Sequence, residues 1–479
     1  MKSLLPLLAL ALTGLSCRVI PHAGSPESDL KVPETWTAPD AGSSLDPNQT
    51  WWSTFEDPAL SAAIEAALES NLDLRGSAAR LRQAAAQARI AGADRVPSLS
   101  AGVSGSRAKS IFVGLPVPGG DVLESTSTSV GVSLNASWEL DLWGRLAAQE
   151  EAAATRFAAA AGDYRAARHS IAAQTAKVWF AWMELRSQQD LARESTGTFQ
   201  RTLELTQSRF ENGIASAFEV RLASSNLATA RAIEAVRDEE VERVVRQLEI
   251  LQGRYPSGML TSTAELPGLP ERPQAGLPGE LVARRPDLAA AELRILAAND
   301  DLYGARALLY PRVTLNGSLG RTSNSASDLT DPDFSVWSLA GGLAMPIFEG
   351  GRLRNNVDLK EAQVQEALAH FEAALLNAFG EVEIALVAED RLAIIEERFQ
   401  SLREETRAAR ELAEERYRAG LVDLFEVLDT QRRELSARSE LISVQARRRT
   451  QRVDLHLALG GNFGAAPEAT NESTEGTGQ

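Results

Sequence analysis

The chain repeats itself, and that restricts its architecture more than any single motif. The segment Leu72-Asp73-Leu74 to Arg95-Val96-Pro97-Ser98-Leu99 recurs 214 residues on as Pro286-Asp287-Leu288 to Tyr310-Pro311-Arg312-Val313. Gly144-Arg145-Leu146 returns 207 residues on as Gly351-Arg352-Leu353. At that same spacing of 207, Arg209-Phe210 with Gly213 and Phe218-Glu219-Val220 returns as Arg416-Tyr417 with Gly420 and Phe425-Glu426-Val427. Landmarks in one order at nearly one spacing imply two structural repeats built to a common plan.

Each repeat opens with helix. Asp57-Pro58 supplies an N-cap with proline at the first helical position, Ala59 to Leu68 and Asp73 to Ala93 carry helical apolar spacing, and Pro97 and Pro311 stop the run. Strands follow. Val130, Val132, Leu134, Ala136, Trp138 and Leu140 alternate with Ser, Gly, Asn and Glu; Val313, Leu315 and Leu319, then Trp337, Leu339, Leu343, Met345 and Ile347, do the same in the second repeat. The strand Ser98 to Ser106 is weaker in pattern. Polar or Gly/Pro-containing loops, Lys109 to Thr126 and Ser323 to Ser335, join each pair into a hairpin long enough to cross a bilayer, for which about 9 to 11 tilted residues suffice. Next come Ala-, Leu-, Glu-, Arg- and Gln-rich stretches without proline, each broken once, at Asn212-Gly213 and Ala419-Gly420. These read as helical hairpins with arms of roughly 55 residues, about 80 Å long.

Four membrane-length strands cannot close a barrel, for which about eight is the practical minimum, and an open sheet edge is not tolerated in lipid. Other copies must complete it. Two copies would give eight strands filled by side chains and three would give twelve with an aqueous bore, so a homotrimer is the smallest conducting assembly. The expected fold class is mainly α with a β-barrel portion: a trimeric 12-stranded transmembrane β-barrel continuous with a 12-helix α-barrel. A half-buried soluble sheet beside a coiled coil is the plainer alternative.

The first residues match a secretory signal: Lys2, the apolar run Leu4 to Leu12, then Ser16-Cys17. Cys17, the only cysteine, stands where a bacterial lipoprotein is acylated, although Gly14 occupies the position at which such a signal usually carries leucine. The expected organisation is a signal peptide 1–16; a lipid-anchored extended segment 17–56; a first repeat 57–253, with β-hairpin about 97–141 and helical hairpin about 145–253; a connector 254–280; a second repeat 281–460, with β-hairpin about 311–348 and helical hairpin about 352–459; and a flexible tail 461–479. A formal net charge of -16 over 479 residues argues against nucleic acid as a partner. The four histidines are scattered, and no HExxH, P-loop, GxSxG or glycine fingerprint occurs, so no metal, no cofactor and no catalytic residue is expected.

Several long motifs in order then carry a resemblance over nearly all of the chain after its leader. They are Trp51-Trp52 with Phe55 and Asp57-Pro58; Glu139-Leu140-Asp141-Leu142-Trp143-Gly144-Arg145; Arg284-Arg285-Pro286-Asp287; Pro346-Ile347-Phe348-Glu349-Gly350-Gly351-Arg352; and Arg416-Tyr417-Arg418-Ala419-Gly420 to Glu426-Val427-Leu428-Asp429. The chain resembles the TolC-like outer-membrane factors, most closely the lipoprotein branch serving RND-type efflux systems. The resemblance implies a homotrimer in the outer membrane lipid of a Gram-negative bacterium, docked to a periplasmic adaptor and an inner-membrane RND-type or other pump. The hairpin turns at Gly213 and Gly420 would form the periplasmic gate.

Glu426 and Asp429, three apart, share one helix face, and in the family the matching positions form acidic rings in the tunnel mouth. Tyr417 and Glu219 match positions that latch the two hairpins, with Arg209 and Arg416 as accompanying candidates; the family's own latch arginine falls at Val422 here. The resemblance therefore predicts higher conductance for Tyr417→Phe combined with Glu219→Ala. Trp138, Trp143, Trp337 and Phe348 are candidates for aromatic girdles at the membrane interfaces. The competing readings are a periplasmic membrane-fusion adaptor, which would carry one helical hairpin flanked by small β domains, and a structural coiled-coil protein of the envelope.

Overall fold

The structure, a computed structural model, describes residues 30–39, 42, 50–112, 123–261 and 265–461. The signal peptide, Cys17 and the tail beyond residue 461 lie outside the described residues. The first repeat runs α1 (Pro58–Ser70), α2 (Leu72–Ala93), β1 (Ser98–Phe112), β2 (Leu123–Leu140), α3 (Arg145–Glu211) and α4 (Ala217–Leu251). In the second, a short helical turn ending at Arg284 stands in place of α1. It is followed by α5 (Pro286–Ala307), β3 (Arg312–Ser323), β4 (Ser335–Ala344), α6 (Arg352–Arg418) and α7 (Leu424–Ala458). The expected N-cap is in place: Asp57 Oδ1 accepts from the amides of Ala59 at 2.9 Å and Leu60 at 3.1 Å.

The hairpin arms differ from the roughly equal lengths expected. In both repeats the outgoing helix has 67 residues and the returning one 35. The returning arm is short because it ends against the start of another helix. Asn71, one residue before α2, donates from Nδ2 to the carbonyl of Leu251, the last residue of α4, at 2.9 Å. Arg285, one residue before α5, donates from Nη1 to the carbonyl of Ala458, the last residue of α7, at 3.2 Å. The two repeats solve the same orphan-carbonyl problem with different side chains at matching positions.

Four helix ends close on a glycine at positive φ: Gly213, Gly253, Gly420 and Gly460. In each, the glycine amide reaches back three residues and the next amide reaches back five, as Gly420 N to Tyr417 O at 3.0 Å and Leu421 N to Arg416 O at 2.9 Å. This is the Schellman arrangement. The four sites differ in surroundings. A Cβ added at Gly213 or Gly420 meets nothing within 4 Å, whereas at Gly253 it would stand 2.3 Å from Ser70 O and at Gly460 2.7 Å from Arg284 O. Gly213→Ala and Gly420→Ala are therefore expected to cost about 1–2 kcal/mol each, the left-handed penalty alone. Gly253→Ala and Gly460→Ala should cost distinctly more, because backbone must move. Thermal unfolding of the four variants checks this, and equal losses would refute the close approach.

The chain divides into two compact units, one holding Arg80–Ala161 and Ala290–Phe371, the other Leu30–Ala79, Gly162–Ala289 and the chain from Glu372 onwards. The first unit contains the single four-stranded sheet found among the described residues, in order β1-β2-β3-β4 with every neighbour antiparallel. The register sorts the side chains. Val103 lies opposite Val132, Leu134 opposite Leu319, Trp138 opposite Leu315, Leu319 opposite Trp337 and Val313 opposite Leu343, so the apolar sets of all four strands share one face. The other face is lined mostly by Ser, Thr, Asn and Gly, with Glu139, Arg312, Val336 and Ala340 among them, and is cross-linked by Ser137 Oγ to Asn316 Oδ1 and Ser318 Oγ to Ser338 Oγ, both at 2.8 Å. The apolar face lies open in the single chain, with Val103 84%, Trp337 77% and Leu343 72% exposed. β1 and β4 each pair on one side only.

In the second unit, Trp51, Trp52 and Phe55 join Leu60 and Ile64 of α1 in a core with Trp179, Phe180 and Met183 of α3 and Val245 and Leu248 of α4. Among the described residues no helix is long and apolar enough to cross a membrane. β3 ends at Ser323 and β4 starts at Ser335, but β4 stops at Ala344, so Met345, Ile347 and Phe348 fall after the strand, and β1 and β2 extend to Phe112 and from Leu123, into the loop expected at Lys109 to Thr126.

Candidate functional site

Two places combine unusual exposure with organised polar chemistry: the sheet, and the turns of the two helical hairpins. At the turns, Phe199 and Leu203 of α3, Ala223, Leu227 and Ala230 of α4, Tyr417, and Leu424, Val427 and Leu428 of α7 form one buried cluster holding both hairpins together. Tyr417 is 3% exposed and its hydroxyl finds no partner. Arg209 closes over it, its guanidinium carbon 4.5 Å from the ring centroid and its Nη1 donating to the Tyr417 carbonyl at 2.8 Å. The contact crosses from the first hairpin to the second.

Glu219 does not reach Tyr417. Its carboxylate accepts from the Ser216 amide at 2.6 Å and the Ser216 hydroxyl at 2.9 Å, while Ser216 Oγ accepts from the Glu219 amide at 3.3 Å. That is the capping box of α4, written in the sequence as Ser216 followed three residues later by glutamate. The geometry thus joins Tyr417 with Arg209 and keeps Glu219 within its own hairpin. Arg416, at the position matching Arg209, gives its carbonyl to Leu421 in the Gly420 turn.

Asp423 caps α7, its Oδ1 accepting from the Glu426 amide at 3.0 Å, and leaves the Glu426 side chain exposed. Asp429, on the same face, accepts from Arg433 Nε at 2.7 Å and has Arg432 Nη2 at 3.7 Å. The two acidic candidates are therefore unlike: one carboxylate is open to water, the other is countered within its own helix.

Other functional candidates were not singled out by sequence. Arg438 of α7 pairs bidentately with Glu194 of α3 at 2.8 and 2.6 Å, a second link between the hairpins. The Arg438 hydrogen bonds hold the Glu194 carboxyl below the usual carboxylate range. Gln431, buried, donates to Glu414 at 2.9 Å and to Thr202 at 3.3 Å. On a helix these side chains look like any solvated charge, and only the pairing of distant elements distinguishes them.

In the sheet unit, Trp138 and Trp337 lie on the apolar face, and Trp138 donates its indole N–H to the Arg95 carbonyl at 3.0 Å. Trp143 sits beyond β2, where it packs on Tyr310 at 5.2 Å and donates to the Pro311 carbonyl at 2.6 Å. Around it the turn into α3 is fixed by Gly144 at φ +72° and by Asp141, whose carboxylate accepts from the amides of Leu146 and Ala147 at 3.0 and 2.8 Å. Phe348 is exposed. Among the described residues no group of three or more His, Cys, Asp or Glu could hold a metal ion.

A sheet with one apolar and one largely polar face, in a chain whose remaining mass is paired long helices, fits the class of membrane-channel subunits. Comparison with known proteins makes this particular. The family model described as "Outer membrane efflux protein" matches residues 63–254 and again 277–461, once per repeat. The chain belongs to the outer membrane efflux protein family. It is 33% identical to the pyoverdine export outer membrane protein OpmQ of Pseudomonas putida, over 96% of this chain and 97% of that one. It is 32% identical to the outer membrane protein OprJ of Pseudomonas aeruginosa, over 95% of each. Among solved structures, the Campylobacter jejuni CmeC outer membrane channel superposes with a TM-score of 0.85 at 26% identity, covering 94% of this chain and 96% of that one.

Proposed function

We propose that the chain is one third of a passive outer-membrane export duct that catalyses no reaction and conducts substrates delivered by an inner-membrane pump and a periplasmic adaptor. The observation that carries this reading is the sheet: its register gives one continuous apolar face for lipid, one polar face for a water-filled bore, and two unpaired edges. Three copies bring twelve strands, enough for an aqueous interior, and remove every edge. Acylation of Cys17 adds an anchor to the same membrane.

In this reading the hairpin turns are the periplasmic mouth and the adaptor's docking point. Each presents the same pair of exposed apolar side chains, Ile214 with Phe218 and Leu421 with Phe425, at matching positions of the two repeats. Glu426 contributes an open ring of carboxylates to the mouth and Asp429 a ring partly neutralised by Arg433. Arg209 on Tyr417 is the clasp between hairpins. Arg209→Ala should raise single-channel conductance or open probability, because it removes both the carbonyl bond and the stacking. Tyr417→Phe alone should change little, because the hydroxyl it deletes has no partner. The opposite ranking would refute the clasp.

Planar-bilayer conductance of the full-length protein in detergent, with native mass beside it, tests the whole reading. Discrete cation-selective openings from a trimer are expected. A monomer without channel activity would overturn it and favour the adaptor reading.

A further inference from the structure

Beside the buried cluster at the hairpin turns, α3, α6 and α7 leave a cavity of about 310 Å³. Tyr417 and Val427 belong both to the cluster and to the cavity wall. The volume lies at the lower end of small-molecule sites and well above the roughly 30 Å³ that one water occupies in the liquid. Leu205, Val427 and Leu435 give the cavity an apolar side.

Two neutral polar atoms of the lining residues have no partner: the Tyr417 hydroxyl and Gln431 Oε1, on residues 3% and 2% exposed. The Gln431 amide gains nothing by turning over. Its nitrogen donates to the Glu414 carboxylate at 2.9 Å, and an ionised carboxylate only accepts, so the oxygen remains the atom in want of a donor. The acidic groups of the wall, by contrast, already have arginine partners. Glu194 is held by Arg438 at 2.8 and 2.6 Å, Glu434 lies 2.6 Å from Arg410 Nε, and Glu414 lies 3.1 Å from Arg410 Nη1. Arg201 and Arg418 are exposed, where water and salt screen them. An ionic guest would have to break one of the pairs, and a neutral guest would not.

We propose that the cavity binds a small neutral carboxamide with an apolar body. Its N–H donates to Gln431 Oε1, its carbonyl accepts from the Tyr417 hydroxyl, and its body displaces water from Leu205, Val427 and Leu435. Water alone could satisfy the two orphan atoms but gains nothing at the apolar side, which favours an amphipathic guest. A guest seated there touches α3, α6 and α7 together, so it stabilises this arrangement of the hairpins over any in which they part. Its effect on conductance rests on the duct reading above; its binding does not.

Calorimetric titration of benzamide into the full-length protein in detergent, against a detergent blank, tests the binding. One saturable site per chain is expected, weakened about fivefold or more by Gln431→Met and by Tyr417→Phe, each of which deletes one orphan atom. Leu205→Trp, at a position 39% exposed and outside the buried cluster, should fill the cavity and abolish binding with unchanged helical circular dichroism. Methyl benzoate, which keeps the ring and carbonyl but lacks the N–H, should bind about fivefold more weakly or worse. Absence of a saturable heat would overturn the site and leave the cavity to water only. Equal affinity in all three variants would place benzamide elsewhere and overturn it as well. In planar bilayers benzamide should lower the open probability of the parent and have no effect on Leu205→Trp channels. Binding without that effect would overturn the coupling to the mouth, and a protein that binds benzamide but forms no channel would sink the duct reading and not the site.

Discussion

Arg452→Met is expected to lower the stability of the helical unit by about 3–5 kcal/mol, the cost of leaving a buried charge without its partner. Arg452 on α7 and Glu389 on α6 face each other through two bonds of 2.9 Å, each side chain 4% exposed. The arginine also donates to the Pro270 carbonyl, tying the connector between repeats onto α7. The internal repeat shows that the fold does not require charge at this place. The mates of Glu389 and Arg452 in the first repeat are Trp182 and Val245, both buried in one apolar core. The double variant Glu389→Met with Arg452→Met should therefore recover most of the loss, since a well-packed apolar pair is often neutral or better than a buried ion pair. Thermal and denaturant unfolding followed by helical circular dichroism would measure this. A double variant as unstable as Arg452→Met alone would show that the pair is needed for more than mutual neutralisation.

The same comparison of mates shows what a reader of the sequence could see. The strands, their faces and the hairpin turns at Gly213 and Gly420 follow from local rules: period-two alternation, and glycine where φ must be positive. The unequal arms do not, because α4 ends where Asn71, 180 residues away in sequence, takes the Leu251 carbonyl. Glu219, matched by the resemblance to a latch position opposite Tyr417, has a local partner in the single chain. Ser216 lies three residues before Glu219, and a capping box satisfies two orphan amides at the start of α4. That signal was legible in the sequence. The resemblance names both Tyr417 and Arg209 as latch candidates, but the form of their contact and the Glu194–Arg438 pair were not legible, since both cross more than two hundred residues of sequence.

Acid is expected to destabilise the helical unit, with its largest histidine contribution from His456 at the end of α7. His456 is 1% exposed, stacks on Trp51 with ring centroids 5.7 Å apart, and has no partner at either ring nitrogen. Burial first, and the neighbouring Arg452 charge second, push its pKa from 6.5 down to about 3. Below pH 6.5 the unfolded chain therefore binds a proton that the folded chain refuses. Stability should fall as pH drops from 6.5 toward 3, by at most about 1.4 kcal/mol per pH unit from this group, or about 2 kcal/mol by pH 5. The carboxylates held low by arginine, such as Glu194, lose their contribution only further into acid, whereas His169, whose pKa burial and then the Arg168 charge push from 6.5 down to about 4, adds a slope of the same sign between pH 6.5 and 5. His456→Phe keeps a ring against Trp51 and removes both the proton site and two unsatisfied buried nitrogens, each of which costs about 1–3 kcal/mol. The variant should be at least as stable as the parent at neutral pH and should lose the His456 share of the slope between pH 6.5 and 5, about 2 kcal/mol by pH 5, while the His169 share stays. Parallel pH profiles for the two proteins would mean that the junction opens far enough to hydrate the imidazole, and the acid response would then have to come from elsewhere.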